Sequence, residues 1–284
     1  MRKMKISRAR LTPVVLASAI IITIIIVTAV FADYIAPHSP YETSLSQRLT
    51  PPFWQEGGSL AYPLGTDLVG RDILSRLIYG ARASIIVAVA TILLAGTIGL
   101  VIGLISGYSG GLVDAVLMRI ADAVLTFPLI LLAILLVIVL GPSFINVIIA
   151  IAFMLWARYA RVVRGEVISL KERDFVTLAK IAGCSTTRIL SRHLFPNVQN
   201  TLMVLMTLQV GWVIVVEATL SFLGAGVPPP APAWGSMVAE GRNYLTQAWW
   251  VTGMPGLAII LTVLSFNMIG DWIRDILDPR LRQV

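Results

Sequence analysis

Residues 83–106, ASIIVAVATILLAGTIGLVIGLIS, run for 24 positions without a charged side chain. A helix crossing a bilayer needs about 20 predominantly apolar residues, because the hydrocarbon core is about 30 Å thick. In hydrocarbon every backbone N–H and C=O must be paired within the chain, which leaves helices as the spanning form for such a run. The stretch is not alone. No charge occurs between Asp122 and Arg158, where Gly141-Pro142 divides two further runs, at roughly 120–140 and 143–160. With 14–32, 198–220 and 250–272 the chain offers six candidate spans. Composition agrees: 13% of residues are charged, against about 25% in soluble domains. The expected class is an all-α integral membrane protein with six transmembrane helices.

Lysine and arginine positions set the orientation of such a bundle. With the N-terminus inside, inner segments hold 17 of the 22 basic residues, and outer ones only Arg48, Arg71, Arg76, Arg82 and Arg242. Both termini are then cytoplasmic. The first span follows the basic stretch MRKMKISRAR, as a signal peptide would. Its apolar run exceeds the usual 7–15 residues and no A-x-A site follows, so it is expected to stay as an anchor. The net charge of +7 sits between apolar spans, which suits anionic headgroups and excludes nucleic acid as the partner. The single cysteine, Cys184, rules out an internal disulfide and reads as a packing residue.

One inner segment is out of character. RDFVTLAKIAGCSTTRILSRHLFPN (173–197) is amphipathic and broken by a glycine. Asp174 is expected to cap a short helix with Phe175, Leu178, Ala179 and Ala182 along one face. Gly183 falls where a left-handed residue would end it. Ser185 then caps a second helix toward Phe195-Pro196, where proline either ends that helix or begins the next span. A docking element and a helix resting on the membrane surface both fit.

Gly183, Ile189 and Phe195-Pro196 resemble the EAA loop of ABC-importer permeases, with Thr177-Leu178-Ala179 standing where Glu-Ala-Ala is usual. LGTDLVGRDILSRLIYGARAS (64–84), EATLSFLGAGVPPPAPAWGSM (217–237) and DPRLR (278–282) are similar to segments of the C-type subunit in the dipeptide, oligopeptide and nickel branch. The resemblance implies a type I ABC importer permease fold in a prokaryotic cytoplasmic (inner) membrane. Its parts would be an N-terminal anchor and external loop (1–81), a permease core (82–273) and a cytoplasmic tail (274–284). It also implies partners: a second, B-type permease subunit, two ATPase subunits carrying ATP and Mg, and an extracytoplasmic solute-binding protein. The loop at about 164–197 would be the coupling element, with Asp174, Phe175, Leu178, Ala179, Ala182, Gly183 and Arg188 as its candidates. Dipeptides, longer peptides, glutathione or nickel complexes would be the solutes.

Other features are read beside it. Ala95, Gly99, Gly103 and Gly107 form a small-residue stripe that lets helices approach closely, either within the subunit or at the seam with a second one. In the external loop, Val69, Ile73, Leu74, Leu77 and Ile78 predict an interfacial helix with an Asp72–Arg76 pair. Residues 227–234 (VPPPAPAW) predict an extended polyproline segment, and Pro228, Pro229, Pro230 and Trp234 are candidates either for binding-protein docking or for a structural cap. Glu217, inside a span, is expensive unless it faces a cavity or partner. Pairing with Arg242 or snorkelling is the expectation, contact with a passing peptide amine the alternative; both residues are outer-mouth candidates. No catalytic cluster, metal set or Walker-type G-x4-G-K-[ST] occurs, so ATP would be bound by another chain. A secondary transporter would need intramembrane acids and paired broken helices, and a membrane enzyme a cluster of His, Asp or Glu within the spans.

Overall fold

The computed structural model describes residues 12–277; the basic stretch 1–10 and the DPRLR segment lie outside them. Helix α1 (Pro13–Val30) starts with Thr12 accepting from the Val15 amide and Pro13 in the first turn, where a missing N–H costs nothing. It lies on the outside of the bundle against two longer helices, burying only Ser18, Ile22 and Ala29. A four-residue helix α2 (Ala32–Ile35) and a loop follow.

Helix α3 (Ile73–Ser109) is a single element of 37 residues. This corrects the expectation of a separate interfacial helix before the second span. Nothing between Ile73 and Ser109 interrupts the helical backbone, and Gly110 stops it at φ +66°. At 1.5 Å per residue it is about 55 Å long, well beyond a 30 Å core. Asp72 does not pair with Arg76 as expected. It caps α3, accepting from the Ser75 amide at 2.9 Å.

The third apolar run is also corrected. It divides into α4 (Gly111–Thr126) and α5 (Leu129–Leu140), which meet at 95°. Pro128 forces the preceding Phe127 out of the helical region, to ψ 142°. Alone, the 12 residues of α5 rise about 18 Å, too little to cross. Helix α6 (Phe144–Lys171) is capped by Ser143 and lies along α3.

Helix α7 (Asp174–Ile181) and α8 (Thr186–Arg188) make the polar insert. A π-helical stretch, Ile189–Leu194, joins α8 to α9 (Phe195–Phe222), so the second insert helix runs into the next span and Pro196 begins it. After α10 (Trp234–Gly241), α11 (Trp249–Leu277) packs on α9, α10 and α1. Among the described residues, five helices are long and apolar enough to cross a membrane, and the bent α4–α5 pair brings the number to six if it serves as one span.

The main core lies between α3, α6 and α9, around Tyr159, Ile151, Met154, Leu155, Ile214 and Leu220. The small-residue stripe of α3 makes it possible. A Cβ on Gly99 would stand 2.5 Å from that of Tyr159; one on Gly103, 2.6 Å from that of Val163; one on Gly107, 2.8 Å from that of Val167. Ala95 is wholly buried on the same face. The stripe therefore meets α6 of its own chain.

Candidate functional site

The end of the bundle that carries α7 is built around one turn. Helix α7 closes on Gly183 at φ +74°, with the Gly183 amide donating to Lys180 O and the Cys184 amide to Ala179 O, both at 3.0 Å. That pair of bonds is the Schellman termination, which places a glycine at the left-handed position. Ser185 then accepts from the Arg188 amide. The N-cap is Arg173, not Asp174; Asp174 is the first helical residue and complements the helix dipole from there.

Helix α7 divides its apolar residues between two faces. Val176 (0% exposed) and Ala179 (7%) pack inward, with Ile189, Leu194 and half-buried Cys184 in the same cluster. Phe175 (37%), Leu178 (64%) and Ile181 (77%) point outward with Ala182, and Arg188 is exposed beyond the turn. The single face expected from sequence is thus split: Ala179 belongs to the core, while Ile181 joins the outer patch and Val176 was missed. The 176/179 spacing carried that signal. Lys180 reaches back over the Tyr108 ring at the end of α3, 5.7 Å from its centroid. Nearby, Arg164 of α6 grips Asp114 of α4 through two bonds of 2.5 and 2.6 Å.

The opposite end is held by a buried ion network that sequence reasoning missed. Arg76 of α3 (2% exposed) pairs with Asp67 (1%) in the preceding loop and with Glu240 of α10 at 2.8 and 3.1 Å. Arg71 bonds Asp67 at 2.6 Å and Glu240 at 2.8 Å. The Val69 and Arg71 amides donate to the other Asp67 oxygen. Two cations and two carboxylates balance one another in charge there, and the buried Arg76 Nε alone of that guanidinium lacks a hydrogen-bond partner.

Trp234 is also part of that packing. It is 2% exposed, and its indole donates to Leu77 O at 3.0 Å, which leaves it no free docking surface in this chain. Pro229 and Pro230 are exposed and Pro228 is half-buried, in a segment that turns at 229–230 instead of running extended. Glu217 is wholly buried and accepts from Ser84 at 3.1 Å and Ser221 at 2.8 Å. It neither snorkels nor pairs with Arg242, whose guanidinium lies over the Phe222 ring, 6.0 Å from its centroid. Two hydroxyls meet the carboxylate because Ser84 of α3 and Ser221, one turn along α9, face the same spot.

Residues 99–283 match the family described as the binding-protein-dependent transport system inner membrane component. The chain belongs to that family. Residues 8–52 of the permease also match the N-terminal TM domain of oligopeptide transport permease C. It is 42% identical to the di/tripeptide transport system permease protein DppC of Pseudomonas aeruginosa, over 94% of this chain and 88% of that one. It is 45% identical to the dipeptide transport system permease protein DppC of Escherichia coli, over 92% and 87%. Among solved structures, the methionine ABC transporter MetNI in an inward-facing form is similar in fold, with TM-score 0.57 and 16% identity over 71% of this chain and 96% of that one. The permease is therefore a non-catalytic, multi-pass membrane subunit of an ABC importer.

Proposed function

We propose that this permease is the C-type subunit of a peptide importer and forms half of the pathway for di- or oligopeptides. In this reading it pairs with a B-type subunit in a prokaryotic inner membrane, makes six crossings and keeps both termini in the cytoplasm. A solute-binding protein delivers the peptide from outside, and two ATPase subunits hold ATP and Mg. The observation that carries the coupling role is the outward patch of Phe175, Leu178 and Ile181 on a helix rigidly set by a glycine turn. Exposed apolar side chains on a polar segment mark a contact surface. Val176 and Ala179 fix the same helix to the end of α6 and to the π-helical stretch that leads into α9, so force applied to α7 reaches both spans. Moving such a switch from 1:99 to 99:1 requires about 5.5 kcal/mol of differential binding. The dipeptide transport roles carried in the names of the relatives support a peptide as solute.

The test is ATP-dependent uptake of radiolabelled dialanine by vesicles holding both permease subunits, the ATPases and the binding protein. Uptake without ATP, or uptake of nickel or glutathione but no peptide, would overturn the reading. In the same complex, with Cys184 replaced by serine, Leu178→Cys should crosslink to an ATPase subunit. A crosslink to lipid alone would instead make α7 a surface-resting helix.

A further inference from the structure

Arg158 lies in a position that membrane helices seldom give to a cation. It is the midpoint of α6, 14 residues from Phe144 and 13 from Lys171, so about 20 Å from either end. The guanidinium rests over the Trp212 ring of α9, 5.3 Å from its centroid. Trp212 stands ten residues, about 15 Å, from the Phe222 end of α9. Arg158 thus meets α9 midway along both helices.

Its neighbours deepen the anomaly. Arg158 opens onto a cleft of about 420 Å³ between α4, α6 and α9, shared with Tyr159, Arg161 and Gln209. Arg161 is paired with Asp122 of α4. Arg158 has no carboxylate partner among the described residues, only the aromatic face. Gln209 is the midpoint of α9. Its Oε1 and the Tyr159 hydroxyl are buried without a hydrogen-bond partner. An ionisable side chain on a spanning helix faces a cavity or partner and not lipid, and pockets of 300–1,000 Å³ with a few convergent polar groups are the usual form of a small-molecule site.

We propose that this cleft is a carboxylate-binding station on the solute pathway, with Arg158 as the cation and the unpartnered Gln209 oxygen as acceptor for a solute N–H. A guanidinium presents parallel donors that match a carboxylate's two oxygens. A peptide carries both groups, a terminal carboxylate and amide N–H donors, within a few ångströms. The station rests on the reading of this permease as a peptide carrier.

The experiment compares uptake of dialanine with uptake of dialanine amide, which lacks the carboxylate, by vesicles containing the complete transporter. The acid-to-amide ratio is measured for the wild type, Arg158→Lys and Arg158→Gln. One binding protein serves all three, so its own preference cancels in the comparison, as in a double-mutant cycle. The ratio should fall about tenfold in Arg158→Gln, equivalent to about 1.4 kcal/mol. It should fall about threefold in Arg158→Lys, which keeps the charge but loses the planar fork. If the glutamine variant does not assemble, the lysine variant decides. A ratio unmoved by either substitution overturns the station. An effect that vanishes in vesicles of pure phosphatidylcholine overturns it in favour of an anionic headgroup. Wild-type vesicles that take up neither peptide would instead remove the peptide reading itself, and the station with it.

Discussion

The guanidinium of Arg76 donates to both oxygens of Glu240, which lies 164 positions further along the chain. This clamp joins the start of α3 to α10, and with Asp67 and Arg71 it closes one end of the bundle. Its two carboxylates are not equivalent, since Asp67 is 1% exposed and Glu240 30%.

Removing the central cation should therefore be worse than removing the outer anion. Arg76→Met strands Asp67 beside a single remaining arginine, and breaking a buried pair costs about 3–5 kcal/mol. Glu240→Gln leaves the Arg76–Asp67 pair intact and should cost about 1 kcal/mol. Thermal unfolding of the detergent-purified permease checks the order, and equal losses would refute the unequal roles.

Helix separation at the stripe is set by a missing Cβ. Gly103→Val places side-chain atoms where Val163 and the Ala160 carbonyl already stand, and overpacking of this kind costs about 1–3 kcal/mol. Gly165→Ala, on the open side of α6, meets nothing within 4 Å and should be neutral. The paired melting temperatures test this, and a neutral Gly103→Val would mean α3 and α6 are not in close contact.

The glycine turn can be probed without steric confusion, because a Cβ at Gly183 would meet nothing within 4 Å. The cost of Gly183→Val is then conformational, about 1–2 kcal/mol for a left-handed residue. Asparagine tolerates that region better. Uptake per ATP hydrolysed should drop severalfold in the valine variant and largely recover in Gly183→Asn. Equal coupling in both would remove the turn from the transmission path.

The two faces of α7 predict two different failures. Leu178→Glu alters the exposed patch and should leave folding intact while ATPase co-purification falls at least tenfold. Val176→Glu buries a charge at a site with 0% exposure and should abolish accumulation of the folded permease. Retained co-purification in Leu178→Glu would show that another surface holds the ATPase.

Much of this was legible in one dimension. Apolar runs of about 20 residues located the long helices, since the bilayer imposes length and forbids unpaired backbone. Gly183 announced its turn because the left-handed region is nearly reserved for glycine. The stripe at 95, 99, 103 and 107 announced a close helix contact through its spacing alone, though not which helix would fill it. Pro128 also carried a readable sign, since it bars the residue before it from the helix, yet the apolar run around it looked unbroken.

Pairing was illegible for a physical reason. Asp72 and Arg76 have the spacing of an ion pair, but Asp72 caps α3, and Arg76 finds two carboxylates brought by tertiary folding. Glu217 and Arg242 carry opposite charges near one end of the bundle, but the hydroxyls of Ser84 and Ser221 reach the carboxylate first. Arg158 read as the edge of a polar segment until α9 supplied Trp212 and Gln209 beside it. Hydrophobic length and backbone conformation are local quantities, so the sequence alone determined the class of the protein, its long helices and the glycine turn. Which charges meet, which face of α7 stays open and what surrounds Arg158 depend on residues as far apart as Arg71 and Glu240, 169 positions, and only the packed bundle decided them.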